Sequence, residues 1–417
     1  MPTLRVFVLT LACVLVASQS TAAEQPGFQV TQLGDHLYEL GADAGGYQVK
    51  VVASIGKDGV LLVDTAMRDW SEALRASLTT LGGGPPKIVI NTHAHTEHIT
   101  GNIPLGKDAV VIGHKNLRSR MQADWHLWEE FPPEALPRIT FADSMNLYFN
   151  GERICLLAFP GAHDNCDIVV WFTGSKVACV GALVNGHHFP SVDGVYGDVM
   201  KYPEVTGKVL DALPADVKLV PGHGEDCTME EGREFHKMLL ETTETVRREL
   251  AKGKDLQTLQ AEGALQDWKS WEISYVDVNL WTEYLAKGIQ GTRTLPPIAG
   301  PLYVAYKARG SEGAIQRFQE IKASQRDQVR WEDMDLQLVR IARKLGELGK
   351  QPDAVPFFEL CLTEYPQGQY VPTCHENLGD ACLARGEKER AIEHYRAALA
   401  RDPEREGVAE KLESLTK

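Results

Sequence analysis

The stretch Asn91-Thr-His-Ala-His-Thr-Glu-His98 packs three imidazoles and a carboxylate into the six residues from His93 to His98. Imidazole nitrogens and carboxylate oxygens are ordinary zinc ligands, and four of them this close together point to a metal site. The apolar run Lys87-Ile-Val-Ile90 just before them reads as a buried strand. A strand that ends in His-x-His turns alternate side chains to one face, so His93 and His95 can reach one ion together. Glu97 and His98 follow as the chain turns and can reach a second ion beside it. The remaining ligands are expected at other strand ends. Ala158-Phe-Pro-Gly-Ala-His163-Asp-Asn-Cys-Asp167 places His163 in a loop between two apolar runs, and Val220-Pro-Gly-His223-Gly places His223 at the end of another. Either histidine taken singly fits an ordinary turn. Taken with the His93–His98 cluster, both read as ligands.

Other residues are candidates of lesser weight. His187 and His188 are expected to line a substrate pocket or to be plain surface histidines. Asp167, four residues after His163, can orient that ring through a hydrogen bond. Cys166 could serve as a soft ligand, but a small loop or core cysteine is the simpler reading. His36, His114, His126, His236, His375 and His394 are read as ordinary core or surface residues.

The elements that must position these groups alternate between strands and helices. Gly46–Ala53 and Gly59–Asp64 flank a Gly-Lys-Asp-Gly turn, a hairpin signal. Trp70–Leu81 has helical spacing, and Gly82-Gly-Gly-Pro-Pro86 stops it before the strand that leads to His93. Further apolar runs at Ala109–Ile112, Ile154–Ala158, Ile168–Phe172, Val177–Val180 and Val217–Val220 complete a layered α/β pattern through residue 228. From Glu230 to Lys252 the chain is charged and helical, with Leu239, Leu240, Val246 and Leu250 as the expected buried stripe. Residues 229–300, with Trp268, Trp271 and Trp281, read as a helical extension packed on the first domain.

The ordered motifs His-x-His-x-Glu-His, Pro-Gly-Ala-His and Pro-Gly-His-Gly resemble the metallo-β-lactamase-fold superfamily over roughly residues 28–225. That resemblance implies an αββα sandwich over residues 24–228, with a metal site at one edge of its two sheets. It implies one zinc on His93, His95 and His163 and a second on Glu97, His98 and His223, with Asp64 orienting a ligand from a strand end. It also implies a metal-activated water as nucleophile, with Glu97 in the catalytic set. Two positions depart from the family pattern: Glu97 stands where aspartate is usual, and Ala182 stands where many relatives carry a metal-bridging aspartate. The second site can therefore be complete, weak (a one-metal enzyme) or non-catalytic, and Ala182 argues against glyoxalase-type and phosphodiesterase-like chemistry.

Residues 301–417 carry a different signature. Leu378, Gly379, Gly386, Ala391, Tyr395, Ala398 and Pro403 sit at the offsets of a 34-residue tetratricopeptide unit. Gly349, Ala354, Phe358 and Pro366 repeat the pattern 37 residues earlier, and Ala314 with Phe318 mark a weaker copy upstream. The resemblance implies paired helices with a surface for a protein partner.

Bulk properties set the context. Arg5, the apolar run Val6–Ala17 and Ser20-Thr-Ala-Ala23 read as a signal peptide over residues 1–23, and Thr-Leu-Ala-Cys13 fits a lipid-attachment site poorly. Twelve apolar residues fall short of a bilayer span, so no integral membrane segment is expected and the chain is read as periplasmic or secreted. The net charge of −14 excludes the basic surface that nucleic-acid binding needs. The seven cysteines beyond residue 23 are an odd number, and one bridge among Cys361, Cys374 and Cys382 is the expected pairing. These observations lead to a zinc-dependent hydrolase, with one or two Zn²⁺ ions, acting on the carbonyl of a small-molecule ester, amide or lactam. The alternative is a weak or inactive scaffold that binds a protein through its repeats.

Overall fold

Strand residues in the first half of the chain alternate strictly between two apolar environments. In β4 (Gly59–Val63), Leu61 and Val63 join one buried cluster while Val60 and Leu62 join another. In β10 (Ile168–Phe172), Ile168 and Val170 turn to the first cluster and Val169 to a third. A strand apolar on both faces must be covered on both, and that requirement produces layers. The computed structural model describes residues 27–123, 131–192, 194–292, 295–329, 331 and 333–417. The signal-peptide segment 1–23 and His126 lie outside the described residues.

One sheet holds seven strands in sequence order: β1 (Gln29–Gln32), β2 (Leu37–Asp43), β3 (Gln48–Gly56), β4, β5 (Pro86–Ile90), β6 (Val110–His114) and β7 (Ile139–Phe141). It is antiparallel through β4 and parallel from β4 to β7. The other runs β12 (Lys218–Pro221), β11 (Val177–Gly181), β10, β9 (Glu152–Ala158), β8 (Ser144–Phe149), with only the β11–β12 pair parallel. Leu61, Val63, Ile90 and Ile112 from the first sheet meet Ile154, Leu156, Val170 and Val220 from the second in the inter-sheet core. α1 (Ser71–Thr80) covers the first sheet through Leu74 and Leu78. The helices α2 (Thr96–Ile99), α3 (Asn102–Leu105) and α4 (Lys115–Ala123) follow β5 and β6. α5 (Tyr202–Ala212) and α6 (Met229–Ala251) cover the second sheet. The expected αββα sandwich is the fold observed.

The extension lies against the outer side of the second sheet. α8 (Val278–Ile289) packs on α6 and α7 (Leu256–Ala261) on α8, and fully buried Trp281 donates Nε1–H to Thr242 Oγ1 at 3.1 Å. In α6, Leu239 and Val246 are buried, but Leu240 is 50 % exposed. Leu240 does not belong to the stripe expected from sequence, because it stands one helical step (100°) from Leu239, on the solvent side.

The tail is a run of antiparallel helices: α9 (Ala299–Ser324), α10 (Met334–Glu347), α11 (Gln351–Glu364), α12 (Val371–Ala384), α13 (Lys388–Arg401) and α14 (Glu406–Thr416). Helix α9 breaks at Arg309 and Gly310, where Gly310 takes φ +66°, so it is a pair like those that follow. Ala314 and Phe318 are buried at the positions that Ala354 and Phe358, then Ala391 and Tyr395, occupy in the later pairs. Gly379 shows why a small residue is needed: a Cβ there would stand 2.5 Å from the Tyr395 ring. The described cysteines are free thiols, so the expected tail bridge is not formed; the Cys361 thiol donates to the Asp335 carbonyl at 3.8 Å. No helix among the described residues is long and apolar enough to cross a membrane.

Candidate metal centre

β5 ends at Ile90, three residues before His93, so it is a loop rather than a strand pleat that brings His93 and His95 together. This corrects the period-two reading of the motif. The loop is held by side chains that replace ladder bonds. Asn91 Nδ2 donates to the His98 carbonyl at 3.2 Å, Asn102 Nδ2 to Asn91 Oδ1 at 2.7 Å, and Thr65 Oγ1 to Asn102 Oδ1 at 2.8 Å. The approach of the two segments is close enough to require glycine at 101, where a Cβ would sit 2.1 Å from the Thr65 carbonyl oxygen. Asp64 leaves β4 with φ +62°, an unusual conformation for a non-glycine residue. Both its carboxylate oxygens then serve the loop.

Three groups of side chains converge here, each with one ligand atom per residue within 4.8 Å of the others: His93, His95 and His163; Asp64, His93 and His98; Glu97, His98 and His223. Four of the five histidines are tethered through Nδ1. His98 Nδ1 lies 3.0 Å from Asp64 Oδ2, His163 Nδ1 lies 3.1 Å from Asp167 Oδ1, and His223 Nδ1 lies 2.8 Å from the Gln48 carbonyl. His93 Nδ1 lies 2.9 Å from Thr92 Oγ1, which gives its only proton to Asp64 Oδ2 at 2.7 Å. Partners that only accept, or a hydroxyl whose proton is committed, make each Nδ1 the donor and leave each Nε2 as the ligand atom. The His93 Nε2 is buried and has no hydrogen-bond partner. His95 differs, with Nδ1 turned toward Glu97 Oε1 at 3.9 Å.

The sharpest constraint is between His98 and His223, whose Nε2 atoms stand 3.2 Å apart. With both Nδ1 atoms donating, two lone pairs face each other unless a cation lies between them. Without metal that cation is a proton: burial pulls His98 down, but the Asp64 carboxylate outweighs it and raises its pKa, while burial lowers His223. Two ligand atoms on a tetrahedral zinc, at bonds of about 2.0–2.1 Å, stand roughly 3.3 Å apart. The 3.2 Å pair and the 3.5 Å between His223 Nε2 and Glu97 Oε1 match that spacing, so these residues fit a metal. Burial alone would raise the Glu97 carboxyl. The polar contact with His223 and the fields of His95 and His98 outweigh burial and hold it far below the usual carboxylate range. Burial pushes His93 well down, which keeps that ring neutral.

Residues 44–225 match the family described as the metallo-beta-lactamase superfamily, and residues 372–405 match the tetratricopeptide repeat. Residues 44–225 are a metallo-β-lactamase-superfamily domain. A metallo-beta-lactamase type 2 of Bacteroides fragilis is 24% identical over 243 residues, covering 54% of this chain and 90% of that protein. Among solved structures, a metallo-beta-lactamase from Pontibacter korlensis shares 17% identity at a TM-score of 0.45 and covers 51% of this chain and 99% of its own. The structure of VMB-1 shares 16% at 0.43 and covers 52% and 97%.

Within this metallo-β-lactamase domain the longer Glu97 side chain still reaches the group it forms with His98 and His223. Ala182 is buried and contributes no ligand atom. His187 is exposed and lies on the Trp271 ring, centroids 4.0 Å apart, whereas His188 is buried beneath Gly224 with its Nε2 unpartnered. Cys166 belongs to none of the three groups; its thiol donates to Asp164 Oδ1 at 3.2 Å, and burial pushes its pKa well up.

Sequence reasoning missed several contributors. Asp164 is buried, pairs with Arg120 Nη1 at 2.5 Å and accepts from the Ala94 N–H at 3.3 Å, which braces the His93–His95 loop. Burial would raise it, but Arg120 outweighs burial and lowers its pKa to about 2. Its place directly after His163 was the only available signal; Arg120, on α4, offered none. Tyr47 and Tyr275 flank His223, with ring centroids 5.4 and 6.3 Å away.

Proposed function

We propose that this protein is an exported, zinc-dependent hydrolase that attacks the carbonyl of an ester, amide or lactam and breaks its acyl C–O or C–N bond. The observation that carries the reading is the 3.2 Å approach of two imidazole Nε2 atoms whose Nδ1 atoms both donate elsewhere. Such an arrangement stores a cation site in the protein itself. His93, His95 and His163 would hold one ion, and Glu97, His98 and His223 another. Bound there, zinc would bring the pKa of a coordinated water near neutrality and polarise the substrate carbonyl.

The protein's own residues do the rest. Asp64, Thr92, Asp167 and the Gln48 carbonyl hold the rings in one tautomer and one orientation, so little rearrangement is needed during reaction. Glu97, kept ionised beside His223, offers Oε1 as an anionic ligand at neutral pH. Export rests on the amino-terminal segment Arg5–Ala23 and places the site outside the cytoplasm. The tetratricopeptide match supports a second role, docking of a protein partner on the tail.

Metal analysis after gentle purification, with esterase and lactamase assays before and after chelation, tests the reading. One or two zinc ions per chain are expected, with turnover lost in His93→Ala/His95→Ala. A chain that binds no metal, or a double variant as active as the parent, would sink it and leave the scaffold reading.

A further inference from the structure

The superfamily match ends at residue 225, yet the extension beyond it reaches back into the metal centre. Ile273 and Val276 exchange two backbone hydrogen bonds of 3.1 Å, closing a tight turn with Ser274 and Tyr275 at its tip. The Phe189 N–H donates to the Trp271 carbonyl at 2.7 Å and anchors one end of this turn. Ser274 Oγ donates to the Gly46 carbonyl at 3.3 Å and ties the tip to the loop between β2 and β3. Tyr47, on that loop, and Tyr275 meet edge to face with centroids 5.1 Å apart, and both rings pack against the edge of His223. Both are only partly buried, while Gly46 and Ser274 beside them are exposed. Two half-exposed rings next to a polar centre form an apolar wall beside His223.

We propose that Tyr275, with Tyr47, is a specificity-determining residue that selects carbonyl substrates carrying an aryl group. The wall's two elements are 228 residues apart and are tied by a hydrogen bond, so the rings are held before substrate arrives. A flat apolar substituent gains burial against them, whereas a methyl group is too small to span both. The inference rests on the hydrolase reading for its reaction, but not for its binding test.

Calorimetry on the zinc-loaded full chain, with phenylacetate and acetate as probes, reads the wall directly. Phenylacetate is expected to bind about tenfold more tightly than acetate. Tyr275→Ala should bring that ratio below about threefold with zinc content unchanged, and Tyr275→Phe should restore it, since the ring and not the hydroxyl makes the wall. Tyr47→Ala, on a separate element, should reproduce the loss and guards against a folding defect in the first variant. Equal binding of the two probes by the parent protein, or a preference that survives both alanine variants, overturns the proposal. Parallel assays with phenylacetyl and acetyl esters separate the two readings. Selective binding without turnover of either ester sinks the hydrolase reading and keeps the wall; equal turnover without binding preference does the reverse.

Discussion

The sandwich edge and the helical tail of this molecule are built on opposite terms. At the edge, groups from β4, the loop after β5, the β9–β10 loop and the end of β12 converge, and their order comes from buried polar tethers such as Asp64 to His98 and Asp167 to His163. In the tail, each helix touches its neighbour in sequence, and order comes from apolar fit, as where Tyr395 fills the space left by Gly379. The difference teaches where each is fragile. A polar tether fails by losing one partner and leaving the other uncompensated. A repeat interface fails by volume, and the damage stays with the neighbours.

The strongest way to sharpen this contrast is His98→Ala, which removes the ring shared by two of the ligand groups. Zinc per chain should fall by about one ion and turnover by about 10³-fold, several kcal/mol of transition-state stabilisation, with far-UV dichroism of the tail helices unchanged. Full activity in this variant would break the comparison at its centre. Asp64→Asn keeps the shape but weakens the tether to His98 and Thr92. It should lower metal affinity by about 10–100-fold in a chelator competition, with a smaller effect on the protein's melting.

Gly379→Ala addresses the other side. Its Cβ would meet the Tyr395 ring at 2.5 Å, so a cost of about 1–3 kcal/mol in the tail's unfolding is expected. Metal content and turnover should not move, and a parallel fall in zinc would show that the two regions are not independent. They do touch: Lys307 Nζ on α9 donates to the Gln122 carbonyl on α4.

The smallest effect concerns the ion cluster behind His223, where Lys50 lies 2.6 Å from Asp226 and 3.3 Å from Glu39. Burial, then the hydrogen bond with Asp226, pushes the Glu39 carboxyl up to about 7 from an ordinary 4.5. A raised carboxyl binds its proton more tightly in the folded chain, so the stability it confers is present at low pH and is lost as pH rises through the folded value. Between about pH 6 and 8 the parent should lose stability, on the order of 1 kcal/mol, relative to Glu39→Gln, measured by urea unfolding. A parent and variant that respond alike to pH would place the proton elsewhere in the cluster.

Much of this was legible before any coordinates. The His93–His98 cluster, with His163 and His223 at two further loops, pointed to a metal site because few ligand types occur at such spacing by chance, and the sandwich followed from the family resemblance that these ordered motifs carry. The repeat was legible because Ala354 and Ala391, or Phe358 and Tyr395, perform the same packing 37 residues apart. The short strands β1, β2, β7 and β8 were not singled out, since three to seven residues with mixed polarity carry little periodicity. The exposed Leu240 shows the same limit within a helix whose existence was clear.

By itself, the sequence determined the chemistry on offer: which residues can bind a metal, that Glu97 replaces the usual aspartate, and that small and aromatic residues recur at a repeat's offsets. These are local properties, carried by residue type and spacing. Only the tertiary structure decided which nitrogen of each ring faces the site, because a tautomer is set by a hydrogen bond to a partner far along the chain. It also decided that Asp164 and Arg120 brace the loop and that Tyr275 reaches His223 from beyond the sandwich. Those contacts join segments tens to hundreds of residues apart, and no local pattern records where such a segment will be packed.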